Sequence, residues 1–204
     1  MLPILYSYRR CPYAMRARMA LKLAGIKVEI REISLRDKPE HMLQLSPKAT
    51  VPVLVLPDGS IIEESIEIML FALKAHALGA TLYQTNGHAG VTALISQNDT
   101  DFKQTLDAYK YPERFPAQPQ LVYRQQGEVF LQQLENLLQQ NTYLFEATPT
   151  FADYAIFPFV RQFSAVDIAW FESANHPKLR AWLKNLVESD LFKSVMEKQP
   201  TYIE

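Results

Sequence analysis

The sequence contains one cysteine, Cys11, and its position suggests a reactive thiol. Cys11 follows a strand-like run, Ile4-Leu5-Tyr6, and precedes Pro12, a residue type favoured in the first helical turn. A cysteine at a helix start faces exposed amide N–H groups and the positive end of the helix dipole, which favour the thiolate. Nearby arginines add positive charge: Arg9, Arg10, Arg16 and Arg18. The alternative is a small apolar residue that fills a strand–helix junction.

A single cysteine also limits the chemistry available within one chain. It excludes an intrachain disulfide, a multi-cysteine metal site and a dithiol redox pair. We predict no metal site, because the histidines are scattered without metal-ligand spacing: His41, His76, His88 and His176. Any redox reaction at Cys11 therefore needs a partner from another molecule.

Two further segments have residue types suited to a small polar ligand. Val51-Pro52 precedes a strand-like run, where proline is tolerated because it cannot donate a hydrogen bond to the sheet. Glu64-Ser65 stands between a strand and a helix, so Ser65 can cap the helix, or its hydroxyl and the first amides can hold a carboxylate. Each segment taken alone has an ordinary structural explanation.

These segments belong to an alternating pattern of strands and helices in the first third of the chain. The order is strand, helix, strand, helix, strand, strand, helix. Gly25 is placed to end the first helix. Pro57-Asp58-Gly59 predicts a tight turn that pairs the third and fourth strands as an antiparallel hairpin, with the fourth strand at or near the sheet edge.

The second part of the chain has only helical periodicity. Glycines and polar residues around 80–90 predict a linker, so we expect an α/β domain over 1–78, a linker over 79–90 and an all-helical domain over 91–204. The predicted helices span about 91–109, 121–140, 152–165 and 178–189. Prolines between 111 and 119 prevent a continuous helix there.

Composition restricts the partners and the location. The 204 residues have a net charge of -1, which argues against general nucleic-acid binding. No apolar run approaches the roughly 18 residues of a membrane-spanning helix, and the N-terminal residues lack the pattern of a secretory signal. We therefore expect a cytoplasmic protein that binds neither nucleic acid nor a membrane.

Three motifs together resemble those of the glutathione transferase superfamily: Cys11-Pro12-Tyr13, Val51-Pro52 and Glu64-Ser65. The resemblance covers the whole chain and implies a thioredoxin-like N-terminal domain followed by an all-helical domain. Arg16 and Lys38-Pro39-Glu40 make the chain most similar to the cysteine-type branch, which comprises omega-class transferases and two-domain glutaredoxins. Thr150-Phe151-Ala152-Asp153 matches the family's capping box at a helix start, which is a structural feature.

The resemblance implies a glutathione site, with glutathione as co-substrate. Pro52 would follow a cis peptide bond, and the Val51 backbone would pair with the cysteinyl part of glutathione. Glu64 would bind the γ-glutamyl ammonium, and Ser65 with the helix amides would bind the neighbouring carboxylate. Lys38 would reach the glycyl carboxylate, although a lysine in a loop is more often only solvated.

Cys11 would form a mixed disulfide with glutathione. Ala14 departs from the dithiol glutaredoxins, which have a second cysteine at that position. A second glutathione must then release the adduct, which implies thiol transfer, deglutathionylation or reduction of a small molecule. The alternative reaction is conjugation of glutathione to electrophiles, for which Ser7 is a minor alternative hydroxyl donor.

The resemblance places the second substrate, a small molecule or a disulfide, between the domains. Candidate contacts are Tyr13, Tyr109, Tyr111 and Arg114, although aromatic residues between helices more often pack and arginines are more often solvated. A non-catalytic protein-interaction module on the same fold is the alternative from another functional class, but such a module needs no glutathione site. A homodimer is compatible with the sequence.

Overall fold

The computed structural model describes residues 1–74 and 90–204. The chain divides into two compact units, one formed by Met1–Tyr83 with Ser189–Glu204 and the other by Gln84–Glu188. A sheet with helices forms the first unit, and the described part of the second is helical. The predicted fold class is confirmed. The predicted linker lies almost entirely outside the described residues, so the domain limits stay a prediction.

A four-stranded mixed sheet forms the centre of the first unit. Its strands are β1 Ile4–Ser7, β2 Glu29–Glu32, β3 Val53–Val55 and β4 Ile61–Ile62. The strand order is β2-β1-β3-β4, with β1 parallel to β2 and antiparallel to β3. β3 and β4 form an antiparallel pair, which confirms the predicted hairpin and the edge position of β4.

Three helices follow the strands of the first unit: α1 Pro12–Leu23, α2 Glu40–Leu45 and α3 Ser65–Lys74. α1 and α3 pack against each other. Gly25 follows the C-cap residue Ala24 of α1 and has a φ of 68°, which glycine adopts without a steric penalty. The predicted end of α1 at Gly25 is therefore confirmed.

The helices described after residue 89 follow the apolar periodicity of the sequence. They are α4 Val91–Gln97, α5 Lys103–Lys110, α6 Gln120–Leu138, α7 Phe151–Ser164, α8 Ile168–Ser173, α9 Pro177–Glu188 and α10 Asp190–Val195. A π-helical turn at Asn98–Phe102 joins α4 to α5, and a 3-10 turn at Pro112–Arg114 interrupts the chain before α6. The four predicted helices are present, and the sequence analysis missed α8 and α10.

A buried carboxylate organises the start of α7. Asp153 accepts hydrogen bonds from the Thr150 backbone N–H (2.7 Å) and hydroxyl (2.6 Å), from Leu144 N–H (2.9 Å) and from Trp182 Nε1–H on α9 (2.7 Å). Burial raises the pKa of Asp153, while these hydrogen bonds act in the opposite direction. The predicted capping box is confirmed, and its aspartate also ties α7 to α9.

The C-terminal residues complete the first unit. Tyr202 N–H donates to the Glu32 carbonyl at 2.7 Å, and Thr201 forms a parallel bridge with Glu32 at the edge of β2. The Glu204 carboxylate accepts hydrogen bonds from the N–H groups of Glu40 and His41, the first two residues of α2. This side chain supplies acceptors for amides that a helix start leaves unpaired.

Gly127 on α6 allows close contact with α7. A Cβ atom at this position would lie 2.3 Å from Cε2 of Phe163. Replacing glycine by alanine inside a helix normally stabilises by about 1 kcal/mol. Here the overlap outweighs that gain, so we expect Gly127→Ala to lower the free energy of unfolding by about 1–3 kcal/mol in urea denaturation.

The matched control is Gln133→Ala at an exposed position on α6. We expect its free energy of unfolding to stay within about 0.5 kcal/mol of the wild type. A Gly127→Ala variant more stable than the wild type would show that α6 and α7 do not need this close approach.

Candidate active site

Cys11 lies at the junction between β1 and α1. It is the N-cap residue of α1, Pro12 is the first helical residue, and the cysteine is partly exposed. Its N–H donates to the Tyr8 carbonyl at 3.0 Å, and its carbonyl accepts from Met15 N–H at 2.9 Å. The predicted position at the start of a helix is confirmed. The Cys11 side chain makes no capping hydrogen bond to α1, but its position at the N-terminus of the helix places it at the positive end of the helix dipole, which favours an anion.

The start of β3 brings a second backbone segment to Cys11. The Cys11 sulfur lies 3.7 Å from the carbonyl oxygen of Val51, a distance at which a thiol can donate a weak hydrogen bond. The peptide bond between Val51 and Pro52 is cis, as the family resemblance implies. Pro52 is buried and Val51 is half-buried. Residues separated by 40 positions in sequence therefore share one site.

A buried arginine ties α1 to the start of α3. Arg16 is 1% exposed, and its Nε–H donates to the Ser65 hydroxyl at 2.9 Å. Its guanidinium also lies 5.0 Å from the centre of the Tyr13 ring. Ser65 is the first residue of α3, and the Glu64 carbonyl accepts from Ile68 N–H at 2.9 Å. From the sequence, Arg16 was expected only to add positive charge near Cys11, and its contact with Ser65 was not predicted.

Lys48 was not predicted from the sequence as a residue of the site. Its Nζ lies 2.7 Å from Glu64 Oε1, and both side chains are more than half exposed. The hydrogen bond from Lys48 to Glu64 and the glutamate charge raise the pKa of Lys48. Ser46 donates to Glu63 Oε1 at 2.6 Å and holds the same segment against the end of β4. Lys48 could have been identified from the sequence because it lies only three residues before the Val51-Pro52 segment.

The remaining predicted site residues fall into different parts of the structure. Lys38 is half-buried and directly precedes Pro39, the N-cap of α2. Tyr109 is buried with its ring centre 4.8 Å from that of Phe163, and burial raises the pKa of its phenol. Tyr111 and Arg114 are brought together, with the exposed guanidinium 4.6 Å from the ring centre. Their predicted roles stay predictions.

Within 1–74 and 90–204, no group of three histidine, cysteine, aspartate or glutamate side chains is arranged to hold a metal ion. Among the helices of these same ranges, none has the length and apolar character needed to cross a membrane.

Comparison with known proteins identifies the family. The family model for the glutathione S-transferase N-terminal domain matches residues 5–80, and the model for the glutathione S-transferase C-terminal domain matches residues 123–185. The chain belongs to the glutathione S-transferase superfamily. This transferase is 24% identical to glutathione S-transferase omega-1 of Mus musculus, over 98% of the chain and 82% of that protein.

Solved structures agree with this assignment. An epsilon-class glutathione S-transferase from Musca domestica matches with a TM-score of 0.79 and 26% identity, covering 95% of this chain and 91% of that one. Glutathione transferase Omega 3C from Trametes versicolor matches with a TM-score of 0.77 and 20% identity. The match covers 100% of the chain described here and 92% of the Trametes versicolor chain. The second likeness supports the fold alone.

The buried hydrogen bond between Arg16 and Ser65 predicts that removing the arginine lowers the stability of the fold. Arg16→Met should lower the free energy of unfolding of the transferase by about 2 kcal/mol, because the buried Ser65 hydroxyl loses a charged donor. Arg10→Met, at an exposed guanidinium, should change the free energy of unfolding by less than about 0.5 kcal/mol.

A double-mutant cycle separates this hydrogen bond from packing. Arg16→Met combined with Ser65→Ala should destabilise the transferase by less than the sum of the single changes, since both polar partners are then removed. Strict additivity in urea denaturation would contradict a direct interaction between the two side chains.

Proposed function

We propose that this glutathione transferase catalyses thiol transfer through a mixed disulfide between Cys11 and glutathione. The observation that carries the proposal is the placement of the partly exposed Cys11 thiol at the N-terminus of α1, 3.7 Å from the Val51 carbonyl. The helix amides favour the thiolate, which is the nucleophile in disulfide exchange. The omega-class names of the curated relatives add support from the family.

Glutathione would bind in an extended form across this site. Its cysteinyl part would pair with the Val51 backbone, which brings the glutathione sulfur to Cys11. Its γ-glutamyl ammonium would meet the exposed Glu64 carboxylate, and the γ-glutamyl carboxylate would meet Ser65 and the first amides of α3. Lys38 would attract the glycyl carboxylate. The ammonium of glutathione would thus face a carboxylate, and its two carboxylates would face amide N–H groups and a lysine.

The reaction would proceed in two exchange steps. The Cys11 thiolate attacks the glutathionyl sulfur of a disulfide substrate, forms the Cys11–glutathione disulfide and releases the substrate thiolate, which takes up a proton. The thiolate of a second glutathione then attacks the glutathionyl sulfur and releases Cys11 as a thiolate. The products are the reduced substrate and oxidised glutathione. Because Ala14 occupies the place of a second cysteine, external glutathione performs the second step.

The second substrate is a disulfide or an oxidised small molecule in this proposal. Tyr111 and Arg114 offer an aromatic face and a positive charge, and Tyr13 lies two residues beyond Cys11. Reduced glutathione must be available to the enzyme, which agrees with the cytoplasmic location predicted from the sequence.

Mass spectrometry of the intact protein tests the role of Cys11. After treatment with oxidised glutathione, we expect one glutathionyl group on the wild type, none on Cys11→Ser and full reversal by reduced glutathione. Tyr8→Phe is the matched control, since it removes a nearby hydroxyl but keeps the backbone carbonyl that accepts from Cys11 N–H. It should form the same adduct as the wild type.

Activity assays with both reaction types complete this test. The Cys11→Ser variant should no longer reduce a mixed disulfide between glutathione and a second thiol. If that variant keeps the activity, or if the wild type forms no adduct but conjugates glutathione to an electrophile, the thiol-transfer proposal is wrong. Absence of an adduct together with no retention on immobilised glutathione would favour a protein-interaction module.

The ion pair between Lys48 and Glu64 predicts opposite effects on the KM for glutathione. Glu64→Gln removes the partner of the γ-glutamyl ammonium and should raise KM about tenfold. Lys48→Met removes a lysine that competes for the same carboxylate, so KM should fall about threefold, the size expected for an exposed pair. An increase in KM for Lys48→Met would instead identify Lys48 as a ligand of glutathione.

A further inference from the structure

The first unit contains a cavity to which the proposed reaction assigns no role. Its volume is about 570 Å³, which lies in the range of small-molecule sites. Residues of α1, β2 and the C-terminal segment line it. Cys11, Val51, Glu64 and Ser65 are not among the lining residues, so the cavity is distinct from the proposed glutathione site.

One wall of this cavity is apolar. Leu21 lies near the end of α1, and Ile26 lies in the turn after it. Val28 directly precedes β2, Ile30 lies within β2, and Val195 is the last residue of α10. Such a surface favours an alkyl or aryl group, because apolar area is removed from water when the group binds.

Arg18 provides the polar part of the cavity. Its side chain is only 4% exposed and lines the cavity. One terminal nitrogen donates to the Ser7 hydroxyl at 2.6 Å, and the other donates to the Arg9 carbonyl at 2.8 Å. The third nitrogen, Nε, is buried without a hydrogen-bond partner. A buried donor without an acceptor is costly and calls for an explanation such as an absent water, ion or ligand.

The charges around Arg18 favour an anion. Arg9, Lys22 and Lys27 also line the cavity, against two carboxylates, Glu32 and Glu197. Glu32 accepts a hydrogen bond from Arg9 N–H at 2.6 Å. Burial lowers the pKa of Arg18 to about 10, while the charge of Glu32 acts in the opposite direction. A further negative group would compensate the cost of burying this guanidinium.

We propose that this cavity binds a small amphipathic carboxylate, with its carboxylate at Arg18 and its apolar chain against Val28, Ile30 and Val195. The carboxylate oxygen supplies the acceptor that Arg18 Nε lacks. The apolar group displaces water from a cavity wall that offers it no hydrogen bonds. The site takes one such molecule and does not compete with glutathione.

Isothermal titration calorimetry with octanoate tests the proposal on the full chain. We expect octanoate to bind one site on the wild type, with unchanged affinity in the presence of saturating glutathione. 1-Octanol has the same alkyl chain without the charge, and it should bind at least tenfold more weakly. Acetate, which has the charge without the chain, should give no measurable binding.

Two variants separate the contributions of head and chain. Arg18→Met should weaken octanoate about tenfold and leave octanol unchanged. Because Arg18 also holds Ser7 and Arg9, Ile30→Trp provides a second test that keeps the arginine and fills the cavity; it should abolish binding. Ile61→Trp on β4, outside the cavity, is the matched control and should bind octanoate as the wild type does.

Three results would overturn the proposal. The first is no octanoate binding to the wild type, which would leave water as the partner of Arg18 Nε. The second is equal affinity for octanoate and octanol. The third is octanoate binding that Ile30→Trp leaves unchanged. Each of these results is independent of whether Cys11 forms an adduct with glutathione.

Discussion

β1 and β3 run antiparallel with Tyr6 opposite Val53, so the loop that leaves β1 and the residues that enter β3 lie at the same end of this strand pair. This pairing brings Cys11 to the Val51 backbone. β1 lies between β2 and β3, and Tyr6 is fully buried, so a shift by one residue would turn the buried side chains of β1 to the opposite face. A shift by two residues would preserve the sheet but separate the thiol from Val51. The site therefore depends on the register of this strand pair.

Two buried arginines on α1 add to this constraint. Arg16 holds the Ser65 hydroxyl at the start of α3, and Arg18 holds the Ser7 hydroxyl at the end of β1. Burying a guanidinium is expensive, so each charge must be compensated by hydrogen bonds that only the folded structure provides. The helix that places Cys11 at its N-terminus is thus connected to the start of α3 and to the end of β1. A movement of α1 would leave these buried guanidinium groups without their acceptors. The cost of losing those hydrogen bonds restricts the position of the helix more than apolar packing alone.

Sequence reasoning succeeded where the signal was local. Pro12 at a helix start, Gly25 after a helix and the turn before β4 each act through the backbone of a few residues. The glutathione-binding roles came from the family resemblance and stay proposals. The contacts from Arg16 to Ser65 and from Lys48 to Glu64 were missed, because they join residues 49 and 16 positions apart and leave no periodic pattern. The attachment of the C-terminal residues to β2 had no local signal either.

That attachment has a consequence for the order in which the protein can fold during its synthesis. The sheet, α1 and α2 are translated first, but the segment that pairs with Glu32 and the side chain that caps α2 follow the whole of Gln84–Glu188. Domains generally fold as units as the chain emerges from the ribosome. In this protein, the unit whose synthesis begins first is the last to complete its fold. Until Tyr202 emerges, the edge of β2 stays unpaired and can bind strands of other chains.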